Sequence, residues 1–196
     1  DKPVAVTFHT VLSSPSAERI AMIRALAERA SDVVVLTERS ARILREEYAI
    51  AEEKIAVIPH GTHVVTWQGK EKMKWKYGLT GRRVLSTFGL LSSNKSIETA
   101  LDALVAIKEQ VPEVLYLVLG RTHPEVVRQE GEGYRDMLVQ KVKDLGLQDH
   151  VRFVDRYLEL EELLEHLQLT DIYLFTSKDP EQAVSGTFAY AMGCGC

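Results

Sequence analysis

Short apolar segments alternate with amphipathic helical segments along the chain, and this alternation restricts the fold more than any other feature. Residues 4–8 and 114–119, for example, are typical of buried strands, whereas residues 16–30 have apolar side chains at helical spacing. Strands that are separated by helices in this way form parallel sheets of βαβ units. The sequence therefore predicts an α/β fold with helices flanking parallel sheets.

The alternation is interrupted once, by a polar stretch that includes a short basic helical segment at residues 70–77. We predict that residues 1–64 form a partial amino-terminal Rossmann-like domain, residues 65–80 a linker, and residues 81–196 a second Rossmann-like domain. The chain enters a strand at once and stops where another strand should begin. We therefore expect the first domain to be incomplete and the second to be truncated at its end.

The composition excludes several classes of protein. Lys and Arg number 24 against 28 Asp and Glu, and this net charge of −4 argues against a nucleic-acid partner. The six histidines are scattered, so we predict no metal site. Cys194 and Cys196 form no disulfide framework and suit a reducing cytoplasm. Neither a signal peptide nor an apolar run of membrane-spanning length is visible.

A polar turn near the end of the chain is the first candidate binding element. It lies between an apolar run at residues 171–175, typical of a buried strand, and a helical segment that begins near Ser185. Ligands bind at the carboxyl ends of parallel strands, and the free N–H groups of a helix start attract phosphates. We predict that Ser185, Gly186 and Thr187 bind such an anion. The alternative is an ordinary turn in which Ser185 or Thr187 caps the helix.

The turn after the strand at residues 83–88 is the second candidate. Gly89 permits a tight turn, and Lys95 places a cation at the start of the helix predicted for residues 95–110. That pair suits a diphosphate. The turn is neither a GxGxxG nor a P-loop motif, so binding of a dinucleotide or ATP by those routes is not predicted. A structural role, with Asn94 as the cap and Lys95 in solvent, fits the local sequence equally well.

Histidines follow two strands of the predicted first domain. His9 ends the first strand, where we expect it to face a cleft between the domains. His60 lies in a turn that Pro59 and Gly61 define, and it is equally well a loop residue. A lone histidine is more often structural than catalytic, so these residues alone do not establish a site.

Two further segments of the second domain carry charged side chains. Arg121 and His123 follow a strand, and they face either a ligand or the solvent. The helix predicted for residues 160–169 carries several carboxylates, and we predict that they form a solvated surface.

In order and spacing, these segments resemble the retaining glycosyltransferases of family 4, which have the GT-B fold of two facing Rossmann-like domains. The matches are Phe-His-Thr around His9, Ile-Pro-His-Gly at residues 58–61, Asn94 with Lys95, the strand at residues 151–154, and Ala-Met-Gly-Cys-Gly at residues 191–195. The resemblance covers essentially the whole chain. It implies that residues 81–196 bind the nucleotide sugar and that residues 1–64 lie on the acceptor side.

The chain departs from the family pattern at positions that the resemblance assigns to the donor. Leu90 stands where the family usually has an arginine before its lysine. The two signature glutamates, eight positions apart, align with Gln182 and Tyr190, and Glu181 lies one residue from the first. A glutamine amide can still bond sugar hydroxyls, whereas a tyrosine lacks the two acceptor oxygens of a carboxylate. Because Gln…Ser-Gly-Thr…Tyr-Ala resembles one branch of the superfamily, we interpret the site as a variant.

The resemblance implies transfer of a sugar from a nucleotide diphosphate sugar to an acceptor hydroxyl with retained anomeric configuration, a hexosyltransferase activity without metal or cofactor. It assigns catalytic roles to His9, Lys95 and Gln182. It assigns donor binding to Gly89, Lys95, Glu181, Ser185, Gly186, Thr187 and Tyr190. Lys95 and the helix N–H groups would stabilise the diphosphate, His9 would position the sugar, and Gln182 or Glu181 would hold its hydroxyls.

The implied partners are a nucleotide-sugar donor and a glycan, lipid or small-molecule acceptor in the cytoplasm. Any peripheral membrane contact is expected from regions outside this sequence. Two other functions stay open. The missing arginine and glutamates suggest a non-catalytic nucleotide-sugar-binding protein of the same fold. A nonhydrolysing sugar-nucleotide epimerase would need carboxylates or a histidine poised for proton abstraction. The sequence names neither the base, nor the sugar, nor the acceptor.

Overall fold

The computed structural model describes residues 2–179 and 184–196. Within them the chain forms two compact units, each built around one parallel sheet. The first unit holds the described residues of Asp1–Gly61 and Asp179–Gly186, and the second holds those of Thr62–Lys178 and Thr187–Cys196. These parallel sheets with flanking helices confirm the predicted α/β fold, whereas the predicted domain limits stay a prediction.

The first unit is a parallel sheet flanked by two α-helices in its described part. In chain order the elements are β1 (Ala5–Phe8), α1 (Ala17–Arg29), β2 (Asp32–Val35), α2 (Glu38–Glu46) and β3 (Ile55–Val57). β2 lies between β1 and β3. Both helices begin after a capping side chain, because Ser16 accepts a hydrogen bond from the Arg19 N–H and Thr37 accepts one from the Ser40 N–H.

The second unit begins with a helix and continues with alternating strands and helices. Its elements are α3 (Lys70–Lys76), β4 (Arg83–Phe88), α4 (Ile97–Gln110), β5 (Val114–Leu119), α5 (Pro124–Glu130), α6 (Gly133–Asp144), β6 (Val151–Val154), α7 (Leu160–Leu169), β7 (Ile172–Tyr173) and α8 (Gly186–Gly193), of which the first residue, Gly186, belongs to the first unit. All strand pairs of this sheet are parallel.

β5 lies inside the second sheet, whose strand order is β6-β5-β4-β7. Every side chain of β5 is buried because helices cover both faces of the sheet. Tyr116 and Val118 pack with α4 and α6, whereas Leu117 packs with α3 and α7 on the opposite face. β4 and β5 end in register, with Phe88 opposite Leu119. The turns that follow these two strands therefore start side by side.

Helix boundaries differ from the predicted ones at two turns. α4 begins at Ile97 because residues 93–95 form a separate 3-10 turn and Ser96 has a left-handed backbone with φ of +49°. The sequence did not predict α5. It begins at Pro124, a favourable first helical residue, and the His123 side chain accepts a hydrogen bond from the Glu125 N–H. In the described ranges, no helix has the length and hydrophobicity needed to cross a membrane.

The prediction that the carboxylates of α7 form a solvated surface is wrong for Glu165. This side chain is buried, and its two oxygens each accept a hydrogen bond of 2.6 Å from Lys76 Nζ. The Tyr77 hydroxyl also donates to it, at 2.5 Å. The cause is the packing of α3 against α7, which places residues predicted as a linker inside the second unit.

Candidate functional site

Two glycines join the turns at the carboxyl ends of β4 and β5. Gly89 and Gly120 have φ of +130° and +121°, which L side chains rarely adopt. A Cβ atom on Gly120 would lie only 2.3 Å from the Gly89 carbonyl oxygen. The Gly89 N–H also donates to the Leu119 carbonyl at 3.0 Å. The two turns are therefore in direct backbone contact, which only glycine allows at position 120.

Lys95 and Thr187 both lie against Gly89. A Cβ atom on Gly89 would be 3.3 Å from Lys95 Nζ and 3.4 Å from Thr187 Cγ2. Burial lowers the pKa of Lys95, and no carboxylate among the described residues offsets this effect. The structure thus brings together three of the residues predicted to bind a diphosphate: Gly89, the partly desolvated Lys95 and Thr187. Anion binding by them stays a prediction.

A cavity of about 280 Å³ opens next to this group in the second unit. Its walls are largely apolar, with Phe88, Leu119, Leu158 and Leu163 among the lining residues. Its polar lining residues are Arg121, Arg156, Tyr157 and Tyr190, together with the backbone of Gly89 and Gly120. An apolar cavity with a few polar groups at its edge is typical of a small-molecule site.

The two arginines of the cavity differ in how firmly other residues hold their side chains. Arg156 pairs with Glu162 through two hydrogen bonds, one of them 2.8 Å long from Nη1 to Oε2. This fork keeps Arg156 at the rim. Arg121 is exposed, so of the two residues that follow β5 it is the one that can face a ligand. His123 instead caps α5, as described above, and has a structural role.

A buried arginine on α6 holds the strand ends that frame the cavity. Arg135 donates to the Gly120 carbonyl at 3.0 Å and to Thr122 Oγ1 at 3.3 Å. Its Nη2 also lies 2.7 Å from Asp155 Oδ1, just after β6. The carboxyl ends of β5 and β6 are therefore tied to one guanidinium group. Sequence reasoning missed Arg135, because arginines on helices are usually solvated.

Tyr190, which aligns with a family glutamate, is held by a residue that sequence reasoning missed. Its hydroxyl lies 3.1 Å from His63 Nε2, and the two rings meet edge to face with centroids 5.0 Å apart. The segment that carries His63 runs along α8, since a Cβ atom on Gly193 would lie 2.4 Å from Thr62 Oγ1. Nothing in the sequence near His63 marks it as part of a site.

The histidines of the first unit lie at the carboxyl edge of its sheet. His9 directly follows β1 and is exposed, and its ring centroid is 6.3 Å from that of His60. His60 Nε2 would be 3.0 Å from a Cβ atom on Gly186, a residue of the same unit. Ser185 is half-buried in that unit. Whether His9 positions a donor sugar stays a prediction.

Two predicted site residues, Glu181 and Gln182, lie outside the described residues. Their assigned contacts with the donor sugar therefore stay predictions. Within residues 2–179 and 184–196, no group of three or more His, Cys, Asp or Glu side chains is arranged to hold a metal ion.

Comparison with known proteins shows the family of this chain. The family model described as glycosyl transferases group 1 matches residues 69–195, and the one described as Glycosyltransferase Family 4 matches residues 1–65. The chain belongs to the glycosyl transferases group 1 family. No curated protein shows significant sequence similarity to it.

Solved structures show that the fold is that of GT-B glycosyltransferases. Anabaena Alr3699/HepE in complex with UDP and glucose is 23% identical, with a TM-score of 0.76 over 99% of this chain and 51% of its own. The pneumococcal O-GlcNAc transferase GtfA in complex with UDP and GlcNAc is 19% identical, with a TM-score of 0.71 over 98% and 36%. WaaG, a glycosyltransferase involved in lipopolysaccharide biosynthesis, is 17% identical, with a TM-score of 0.68 over 97% and 54%. The chain spans about half the length of HepE.

Proposed function

We propose that this chain provides the donor site of a retaining glycosyltransferase, which moves a sugar from a nucleotide diphosphate sugar to an acceptor hydroxyl. One observation carries the proposal: Lys95 Nζ and Thr187 lie together on the Gly89 turn, beside a cavity large enough for part of a nucleotide. The group 1 family match supports the same reaction class. The cytoplasmic location predicted from composition stays a prediction.

During this reaction, negative charge develops on the leaving diphosphate, and the enzyme must stabilise that charge. Lys95 supplies a positive charge there, and the N–H groups of Ser185, Gly186 and Thr187 supply hydrogen-bond donors that need no reorganisation during the reaction. Because these groups neutralise the charge, the proposed mechanism uses no metal ion. We assign no protein base, since the donor phosphate is expected to take the proton of the acceptor hydroxyl.

For the donor we propose a UDP-hexose. HepE was solved with UDP-glucose, and GtfA with UDP and GlcNAc. The cavity of about 280 Å³ beside Gly89 suits a flat base, because its walls are apolar and Phe88 and Tyr157 are among them. The acceptor, whether a glycan, a lipid or a small molecule, stays open.

The direct test is an assay of donor turnover with the intact protein and a panel of UDP- and GDP-sugars. Release of the nucleoside diphosphate, strongest with one UDP-hexose, is the expected result. Tight binding without release would instead favour a non-catalytic nucleotide-sugar-binding protein, which Leu90 and Tyr190 in place of the family residues suggest. A changed sugar that stays attached to its nucleotide would show an epimerase.

Replacing Lys95 with alanine is expected to weaken the binding of UDP by about 1.5 to 3 kcal/mol, the range for a hydrogen bond to a charged group. Isothermal titration calorimetry on the intact protein measures this change. Lys143→Ala is the matched control, because Lys143 is an exposed lysine on α6, and its removal should leave the affinity unchanged. Equal affinity of Lys95→Ala and the wild type would make Lys95 a structural residue.

The pH dependence of binding provides a second measurement on the same lysine. Because burial lowers the pKa of Lys95, the free protein loses this charge at a lower pH than it would with an ordinary lysine. A bound diphosphate favours the charged form and opposes that loss. We therefore expect the affinity for UDP to fall as the pH rises through the lowered pKa. The Lys95→Ala variant should lack this fall.

Replacing Gln182 with alanine is expected to reduce sugar transfer while the affinity for UDP stays nearly the same. The reason is that Gln182 is assigned to the donor sugar and not to the nucleotide. Glu181→Ala is the control, because Glu181 is the neighbouring residue in the sequence and lies one position from the residue that aligns with the family glutamate. If Glu181→Ala abolishes transfer and Gln182→Ala does not, Glu181 is the counterpart of the family glutamate. If neither variant changes turnover, the turn has no part in catalysis.

A further inference from the structure

Tyr190 lies one helical turn after Thr187, which belongs to the proposed diphosphate site. Thr187 lies beside Gly89, and Tyr190 follows it by three positions on α8. Residues three apart on a helix share a face, with Cβ atoms about 5 to 6 Å apart. In a nucleoside diphosphate, the ribose is the group attached to the diphosphate. A nucleotide whose diphosphate lies at Thr187 and whose base enters the cavity therefore places its ribose near Tyr190.

The Tyr190 ring is part of the cavity wall. It lines the same cavity as Gly89 and packs against Phe88, with ring centroids 6.1 Å apart and planes tilted by 31°. Its hydroxyl is one of the few polar groups among largely apolar neighbours. A hydroxyl in such surroundings strongly favours a hydrogen-bond partner, because a buried polar group without one is costly.

His63 is the hydrogen-bond partner of that hydroxyl, and the tautomer of its ring sets which of the two groups donates. A tyrosine hydroxyl has one proton to donate and two lone pairs to accept with. When His63 Nε2 accepts the proton across their 3.1 Å contact, the phenolic oxygen faces outward only as an acceptor. It can then accept a hydrogen bond from one ribose hydroxyl.

The backbone that carries His63 is itself held by packing. Gly193 lets Thr62 approach α8, as shown above, and Gly195 lies against the Trp67 ring, with 3.7 Å between that ring and a Cβ atom built on the glycine. Val65 packs in the same apolar cluster as Tyr190 and Cys196. Residues 62–67 therefore follow α8 closely enough to fix the position of the His63 ring.

We propose that His63 is a positioning residue, which orients the Tyr190 hydroxyl to accept a hydrogen bond from a ribose hydroxyl of the donor nucleotide. The inference rests on the proposed function, because it takes the diphosphate to lie at Gly89, Lys95 and Thr187. It adds His63 to the residues predicted to bind the donor.

The test compares the affinities of the intact protein for UDP, 2′-deoxy-UDP and 3′-deoxy-UDP by calorimetry. The wild type should bind UDP about 2- to 12-fold more tightly than the analogue that lacks the contacted hydroxyl, as expected for one neutral hydrogen bond. Tyr190→Phe should bind UDP and that analogue equally. His63→Ala should lose most of the difference in affinity between UDP and that analogue. His63→Gln, which keeps a polar group, should recover part of this difference.

The variants His63→Ala and Tyr190→Phe should not be additive, because both remove the same hydrogen bond. His150→Ala is the matched control: His150 lies at the amino end of β6, at the opposite edge of the sheet, and should leave discrimination unchanged. Thermal unfolding of each variant without nucleotide separates lost contacts from lost folding. If His63→Ala discriminates as the wild type does, the inference is overturned while the proposed function stands. If the wild type binds none of the three nucleotides, the proposed function fails as well.

Discussion

Replacing Asp171 with alanine is expected to lower the free energy of unfolding by about 3 to 5 kcal/mol, the range for removing one partner of a buried ion pair. Asp171 directly precedes β7, and its Oδ2 lies 2.7 Å from Lys74 Nζ. The Lys74 side chain is only 3% exposed, so the variant leaves a buried ammonium group without its main counterion. The Val84 N–H, which donates to Oδ2 at 2.8 Å, loses its acceptor too.

Denaturant unfolding of the intact protein measures this loss. Glu71→Ala is the matched control, because Glu71 also faces Lys74, at 3.6 Å, but is 75% exposed. An exposed ion pair contributes little, so the control should change stability by less than about 1 kcal/mol. Similar losses in the two variants would contradict the assignment of Asp171 as the principal partner of Lys74.

The same carboxylate predicts a pH dependence of stability. Burial opposes its charged form, but hydrogen bonds from Lys74 and the Val84 N–H outweigh this and lower the pKa of Asp171. A carboxyl whose pKa is lower in the folded state stabilises the fold fully above its unfolded pKa, about 3.9. The stabilisation is lost as the pH falls through the lower, folded value. The difference in the free energy of unfolding between the wild type and Asp171→Ala should therefore become smaller only at acidic pH.

Replacing Gly120 with alanine is expected to lower stability by about 2 to 6 kcal/mol and to abolish measurable UDP binding. Two costs combine: about 1 to 3 kcal/mol for an unfavourable backbone conformation, and about 1 to 3 kcal/mol for overpacking. Both apply because φ is +121° and the new Cβ atom would lie 2.3 Å from the Gly89 carbonyl oxygen. The carbonyl must move, and with it the turn that faces Lys95 and Thr187.

Gly78→Ala separates these costs. Gly78 has φ of +66°, but a Cβ atom there would meet nothing within 4 Å, so the variant carries only the backbone cost, about 1 to 2 kcal/mol. It should bind UDP normally, measured by calorimetry at a temperature where both variants stay folded. Normal UDP binding by Gly120→Ala would show that contact between the two turns is not needed for the site.

Local patterns in the sequence predicted most of the fold. The limits of β4, β5, β6 and α7 agree with the predicted ones, because continuous apolar runs and helical spacing involve only residues close in sequence. Where prediction failed, a tertiary contact decided the outcome. α7 is rich in carboxylates, a pattern that predicts a solvated surface. Lys76 and Tyr77 instead pair with Glu165 and bury it.

The candidate site likewise contains residues that local sequence patterns predict and residues that only a tertiary contact reveals. Gly89, Lys95 and Thr187 were predicted because each belongs to a strand-to-helix turn, and turn chemistry is visible in a short segment. Arg135 and His63 were not predicted, since neither stands next to a motif. Arg135 acts on the Gly120 carbonyl and on Asp155, which belong to two different strand ends.

Apolar periodicity, glycine and capping side chains act locally, so the amino-acid sequence alone predicts the order of the strands and of the helices other than α5, together with the turns that we predict to bind an anion. Which distant groups meet depends instead on the packing of the folded chain. His63 and Tyr190 are 127 positions apart, and Lys74 and Asp171 are 97 apart. Hydrogen bonds and ion pairs act over a few ångströms, so their partners are set by the packing of helices on the sheet and not by separation along the chain.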